Sequence, residues 1–252
     1  MARVLSDETR MRAREQALDR ETQRLRRLAP IEWAVGAALL AAGLGWYLWK
    51  RSYGGLLWAG IALFIGIGHR LKVRENERDR RFHAAGRRGE HRVARALAEH
   101  LPPEYALVND AEIVLGRTRA QFDHVVVGPN GVFAIETKNW RGRIAGHRGS
   151  LYLRIRRDDG SSRTARNPLP QCRRQARVLR AFLARTPRPD ADVVVALVSG
   201  SDDARWEIED ADVPVLAWTD AAAFIRGHAA ARPLTADEVD AIAQRVLERH
   251  EA

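Results

Sequence analysis

Gln121-Phe-Asp-His-Val-Val-Val-Gly-Pro-Asn-Gly-Val-Phe-Ala-Ile-Glu-Thr-Lys138 decides how this 252-residue chain is read. Two apolar runs, Gln121–Val127 and Val132–Lys138, flank Gly128-Pro129-Asn130-Gly131, a strong hairpin turn. Charged side chains are rare inside strands this apolar unless something compensates them. Here Asp123 sits in the first strand, and Glu136 and Lys138 in the second. Residues i and i+2 of a strand share a face, so Glu136 and Lys138 point the same way. A two-residue Pro129–Asn130 loop puts Asp123 opposite Glu136. A type I turn with Gly131 as a bulge moves Asp123 to the other face, and the sequence leaves both registers open.

Two converging carboxylates offer oxygen ligands for Mg²⁺ or Mn²⁺, and a nearby ammonium steadies developing charge or the nucleophile. The chain has 39 Arg and only three Lys (Lys50, Lys72 and Lys138), so the lysine at 138 stands out. The competing reading is a structural ion pair at a strand end. His124 alternates to the opposite face from Asp123 and reads as a core or surface histidine.

Around this hairpin the pattern gives a helix over Glu90–His100, ended by Pro102–Pro103, and strand material at Tyr105–Val108, Ile113–Leu115 and Leu151–Arg156. Gly86–Gly89 is expected to break or bend the charged helical connector 70–85. Asp158–Arg166 reads as a polar loop. Pro168 opens a helix to about Arg185, Asp192–Val198 is a buried strand and Val213–Ala217 a shorter one. Thr235 and Glu238 form a capping box before Val239–Arg249. The segments expected are a charged helical arm (1–29), an apolar hairpin (30–69), the connector (70–85), a core domain (86–200) and an acidic α/β extension (201–252).

Net charge is +10, unevenly spread: residues 121–189 carry +11 and residues 190–252 carry −9. Such a basic block implies a polyanionic partner. Arg141, Arg143 and Arg148 follow the charged strand directly, and Arg154, Arg156 and Arg157 lie on or beside the next one. Arg173, Arg177 and Arg180 form one stripe of the helix after Pro168. These arginines are expected to grip nucleic acid through its phosphates, with little sequence preference. Trp140 is a candidate base-stacking residue. The competing readings are a solvated face, or pairing with the acidic tail.

Ile31–Trp49 and Ser52–Gly68 read as two transmembrane helices, with aromatic residues near their ends. Arginine placement on the flanks puts both termini in the cytoplasm of a bacterial plasma membrane, making the bilayer a partner through residues 31–69. A soluble protein whose apolar hairpin packs within a homo-oligomer is the other account. One cysteine, Cys172, excludes an intrachain disulfide and a Cys-based metal centre. No Walker A, dinucleotide fingerprint or HExxH motif is present.

Gly86-Arg-Arg-Gly-Glu90, Asn109-Asp110, the Gln121–Lys138 hairpin with Asn139-Trp140, and Asn167-Pro-Leu-Pro-Gln171 together resemble the nuclease-related domain (NERD) of the PD-(D/E)xK, restriction-endonuclease-like superfamily. The resemblance covers about residues 83–200. It implies an α/β fold: a restriction-endonuclease-like core of helix, three to four strands, helix and strand, with a central mixed sheet flanked by helices. It implies that Asp123 and Glu136 bind metal, that Lys138 is the catalytic lysine and that Glu90 is an additional acidic site residue. Gln171 matches the family's glutamine, and Gln121 opens the hairpin; neither has an assigned role. Phe122 stands where the superfamily has proline. The function expected is metal-dependent hydrolysis of phosphodiester bonds, with DNA the expected substrate, by an endo- or exodeoxyribonuclease-like hydrolase. The alternative is a binding module of the same fold without catalysis.

Overall fold

The hairpin forms in the register of the two-residue loop. In the computed structural model, which describes residues 1–5, 30, 34–50 and 54–248, strands β3 (Thr118–Gly128) and β4 (Gly131–Lys138) pair antiparallel from Gly128↔Gly131 to His124↔Ile135. Pro129 and Asn130 are the loop. A Cβ on Gly131, whose φ is 131°, would approach Asp192 O to 2.9 Å, which explains glycine at the turn.

The chain divides into two units, Met1–Asp7 with Ala85–Ala252 and Glu8–Ala84. In the first, β1 (Arg3–Leu5), β2 (Ala106–Leu115), β3, β4, β8 (Val193–Ser199) and β10 (Val215–Ala217) form a six-stranded sheet in the order β1-β2-β3-β4-β8-β10. The β2-β3-β4 meander is antiparallel; β1 runs parallel to β2, and β8 parallel to both β4 and β10. The sheet is therefore mixed, as expected.

Both faces are covered by helices. Val125, Val127, Val132 and Ala134 pack with Leu179 and Phe182 of α3 (Leu169–Leu183) and with Val239 and Ile242 of α5 (Ala236–Leu247). Val126, Phe133 and Ile135 pack on the opposite side with Val93 and Leu97 of α2 (Gly54–His100) and Ile225 of α4 (Ala221–Gly227). This double coverage explains why β4 is apolar on both sides rather than alternating. Each fully buried Phe, Ile or Val contributes roughly 1.5–3 kcal/mol. The Thr235–Glu238 capping box starts α5 as expected.

A second sheet, ordered β7-β6-β5-β9, comprises β5 (Gly142–His147), β6 (Tyr152–Arg156), β7 (Ser162–Arg166) and β9 (Ala204–Glu209). One side buries Ile144, Leu153 and Ile155 against Trp140 and Trp206. The loop expected at Asp158–Arg166 is a turn followed by β7. This edge strand turns Ser162, Thr164 and Arg166 to solvent and so carries little hydrophobic signal. Residues 201–252 supply β9 and β10 to the two sheets and α5 to the core, within the same unit as 85–200.

Three further expectations are corrected. Gly86–Gly89 does not break the helix: α2 runs through it, since a helix interior tolerates isolated glycines at roughly 1 kcal/mol each. Arg3–Leu5 is strand rather than part of a helical arm, with Leu5 packed against the core; residues 6–29 of that arm lie outside the described residues.

The membrane hairpin is also overturned. Among the described residues no helix is long and apolar enough to cross a membrane. Among the described residues of the second unit, the first helix, α1, covers residues 34–50. The apolar start of α2 ends at Gly68, and Arg70, Lys72 and Arg74 follow in the same helix. The two transmembrane helices and the plasma-membrane placement fall with this finding. Ile31–Trp33 and Arg51–Tyr53 lie outside the described residues.

Candidate active site

The candidate site forms where the β3–β4 ladder ends. Beyond His124↔Ile135 no further residues pair, and Asp123 Oδ2 instead accepts the backbone N–H of Thr137 at 2.7 Å. A carboxylate thus replaces the ladder as partner for this N–H. The partner strand shows the same local disturbance: Asp110, facing Asp123 across β2 and β3, has a φ of 51° and forms no ladder pair.

Glu136, only 1% exposed, is the centre of the cluster. Its Oε1 is paired with the Lys138 ammonium. Its Oε2 accepts Gln175 Nε2 at 2.6 Å, and that same nitrogen reaches Gln121 O at 3.0 Å. So both carboxylate oxygens are engaged, one by a charge and one by a neutral donor from α3.

Electrostatics tie the remaining residues to this centre. Burial raises the Asp123 carboxyl well above its ordinary range, Glu136 raises it further, and Lys138 opposes the shift. Burial raises Glu90 as well; Lys138 opposes the rise, and the charges on Asp110 and Glu136 add to it. Lys138 is raised overall, because Glu136 and Asp123 outweigh the burial that would lower it. Three carboxylates therefore share one lysine at the end of β4, an excess of negative charge.

Glu90 reaches this point because its helix approaches closely. A Cβ on Gly200 would lie 2.7 Å from Gly89 Cα, and one on Gly89 would lie 2.5 Å from Asn139 Cβ. Asn139 Nδ2 also donates to Ala85 O at 2.6 Å. Paired glycines thus let α2 touch the ends of β4 and β8.

The donor set suits a small, hard divalent cation. Among the described residues, no group of three or more His, Cys, Asp and Glu side chains is gathered to hold a metal. Mg²⁺ commonly takes only one or two carboxylates and completes its shell with water and phosphate oxygens. Mutual repulsion among Glu90, Asp123 and Glu136 is also what a bound cation would relieve.

Four of the residues named from the sequence, Glu90, Asp123, Glu136 and Lys138, thus lie in one electrostatic cluster. Gln121 joins it through its backbone oxygen only. Gln171 lies exposed on the first turn of α3 and makes no side-chain hydrogen bond among the described residues. Gln175, one helical turn later, is the glutamine that reaches Glu136. Its signal was present in the apolar stripe Cys172–Ala176–Leu179–Leu183, which turns the neighbouring Gln175 inward. Cys172 is buried and its thiol pushed up to about 12, chiefly by burial and then by Glu136.

His124 is 2% exposed and bonds Asn109 Oδ1 through Nδ1 at 2.7 Å, while Nε2 has no partner. It is a core histidine. Trp140 stacks on Trp206 at 5.3 Å between ring centroids, with Arg163 over its ring, so it packs between sheet residues.

The arginines divide. Arg141 lies 3.7 Å from Asp203, Arg143 is held by Glu207 at 2.6 Å, and Arg173 makes two 2.7 Å bonds to Asp212. Arg180 donates to Val193 O at 3.3 Å. Arg148 and Arg177 are exposed. Part of the basic block is thus paired with the acidic stretch 202–212, which also supplies Asp202 to Arg92.

Residues 85–198, a little under half of the chain, match the family model of NERD, the nuclease-related domain. No curated protein and no solved structure matches the chain.

Proposed function

We propose that this nuclease-related domain hydrolyses phosphodiester bonds in DNA with a divalent cation, Mg²⁺ or Mn²⁺, held by Asp123 and Glu136. The observation that carries this reading is the buried Glu136 carboxylate, set between Lys138 and Gln175 and repelled by Asp123 and Glu90. A structural ion pair would need one acid for one base; this site has three acids. The cation would supply charge stabilisation at the phosphate and a more acidic water. Lys138 would then donate to the oxygen on which negative charge grows. Gln175 orients the Glu136 carboxylate, and the Thr137 N–H orients that of Asp123. Glu90 adds negative charge beside the same position. Arg141, Arg143, Arg148, Arg173, Arg177 and Arg180 would contribute phosphate contacts to differing degrees, those already paired with acids least.

Binding without cleavage is the second reading. It is favoured by the engagement of both Glu136 oxygens, since a metal must displace Lys138 or Gln175 or share an oxygen with it.

The deciding experiment incubates the purified full chain with linear and circular duplex DNA and Mg²⁺, with EDTA as control. Cleavage that stops with EDTA and falls at least 100-fold in Asp123→Ala and Lys138→Ala supports the nuclease. Cleavage unchanged in both variants overturns it. DNA binding with no cleavage by the unaltered chain leaves the second reading.

A further inference from the structure

The second sheet has an outer face that the core of its own unit does not use. Strand alternation turns Ile144, Leu153, Ile155 and Trp206 inward and sends Arg143, Arg154, Arg156, Arg166 and Arg205 outward. The register makes this arrangement unusual. Arg143 stands opposite Arg156 on β6 and opposite Arg205 on β9, so three arginines form one cross-strand row. Arg154 faces Thr164, and Arg166 faces Tyr152, which is 61% exposed.

Like charges directly opposite one another destabilise a sheet. Two acids, Glu207 and Glu209, share this face, and Glu207 is taken by Arg143. Among the described residues Arg154, Arg156, Arg166 and Arg205 have no carboxylate within ion-pair distance. The face is also nearly free of apolar side chains, so it does not suit a hydrophobic protein partner. Cationic groups repeat along it at strand spacings of about 4.8 Å. It follows directly on the candidate site, since only Asn139–Arg141 separate Lys138 from β5.

We infer that the outer face of the second sheet binds the phosphate backbone of duplex DNA, with Arg154 and Arg156 at its centre. The identity of the polyanion rests on the nuclease reading above; the arginine rows stand without it. Contact is through phosphates, so affinity depends steeply on salt and little on sequence.

The test measures affinity of the full chain for two unrelated DNA duplexes in EDTA, across a series of salt concentrations. Arg154→Ala/Arg156→Ala is compared with Arg117→Ala/Arg226→Ala, which removes the same charge elsewhere on the surface. The sheet variant is expected to bind both duplexes at least tenfold more weakly at low salt. Its slope of log affinity against log salt should fall by about two, roughly 0.9 per lost phosphate contact. The control pair should leave the slope unchanged. An unchanged slope in the sheet variant, or an equal fall in the control, overturns the proposal. Far-ultraviolet circular dichroism and the melting temperature of both variants check folding; should the sheet variant fail it, Arg154→Gln and Arg156→Gln singles, each expected to lower the slope by about one, decide instead. EDTA separates this from catalysis: binding can fail while Mg²⁺-dependent cleavage at saturating DNA persists, and the reverse.

Discussion

Gln175 and Glu136 are joined across the α3–β4 interface by a 2.6 Å hydrogen bond, with Gln175 Oε1 buried beside it and unpartnered. A neutral donor on a buried carboxylate fixes its orientation without neutralising it, as a residue supporting a metal ligand should. Gln175→Ala is therefore expected to lower Mg²⁺-dependent cleavage about 10- to 100-fold with the fold retained. Gln171→Ala, altering an exposed side chain one turn away, should stay within about twofold. Cleavage rates of the two variants at several Mg²⁺ concentrations check this. An equal loss in both would show that α3 as a whole, rather than Gln175, is being perturbed.

Asp123 gives the protein a pH dependence with a definite sign. Its folded carboxyl is raised above the ordinary value by burial and by Glu136. Such a group contributes stability that is present below the unfolded value and lost as pH rises through the folded one. At neutral pH without metal, the preference of Asp123 for its protonated form in the folded chain therefore costs stability. Asp123→Asn should melt several degrees higher than the unaltered chain at pH 7.5 and approach it near pH 4, since asparagine keeps the bond to Thr137. Mg²⁺ should raise the melting temperature of the unaltered chain and leave Asp123→Asn unmoved. Scanning calorimetry across pH, with and without Mg²⁺, reads both effects.

His124 has the opposite consequence. Burial lowers it to about 3, so the unfolded chain takes up a proton below about pH 6.5 that the folded chain refuses. Stability is complete above that value and is lost as pH falls, by up to about 1.4 kcal/mol per pH unit. His124→Leu leaves Asn109 Oδ1 without its donor and should lower the urea midpoint at pH 7.5. Between pH 6.5 and 4.5, however, its midpoint should fall less steeply than that of the unaltered chain. Parallel curves would assign acid lability to another group.

The Trp140–Trp206 stack is a packing contact. Trp140→Ala should cost about 2–4 kcal/mol in urea unfolding, while Trp140→Phe keeps most of the stability. Trp206→Ala should be similarly costly, and the double variant should reveal a coupling of about 0.5–1.5 kcal/mol. A Trp140→Ala chain with unchanged stability and weakened single-stranded DNA binding would instead make it a base-stacking residue.

Gly89→Ala tests the close approach of α2. Its Cβ would press on Asn139, one residue beyond Lys138. Helix propensity alone favours alanine by about 1 kcal/mol, so a loss of cleavage of tenfold or more would report displacement of Glu90 and Lys138. Gly86→Ala, whose Cβ would meet nothing closer than 3.9 Å, should be neutral or stabilising.

The hairpin and the shared face of Glu136 and Lys138 were legible because apolar runs, a Gly-Pro-Asn-Gly turn and strand period two all agree. So were α3, β8 and the capped α5. The second sheet was legible only at β6, because β5, β7 and β9 are short, carry polar or charged residues at alternate positions and lie at or near an edge. Their pairing is also long-range: β5 joins β9 some sixty residues later. Gln175 escaped notice because choosing between glutamines one turn apart requires the rotation of the helix on the sheet. The apolar segments misled because a local apolar composition resembles a spanning helix, whereas α2 carries its apolar start straight on into the charged Arg70, Lys72 and Arg74. Ion pairs of Arg141, Arg143 and Arg173 with residues 203–212 were foreshadowed only by the opposite charge of the two stretches.

The parallel pairing of β1 with β2 gives residues 8–84 a particular status. Strand β1 belongs to the first unit, yet all of the second unit lies between it and the rest of that unit. In sequence the second unit is thus an insertion, and pairing of β1 with β2 closes the intervening chain into a loop. Loop-closure entropy grows only logarithmically, about 0.6 kcal/mol for each doubling of length. The insertion could therefore lengthen or shorten at little thermodynamic expense to the β1–β2 pairing.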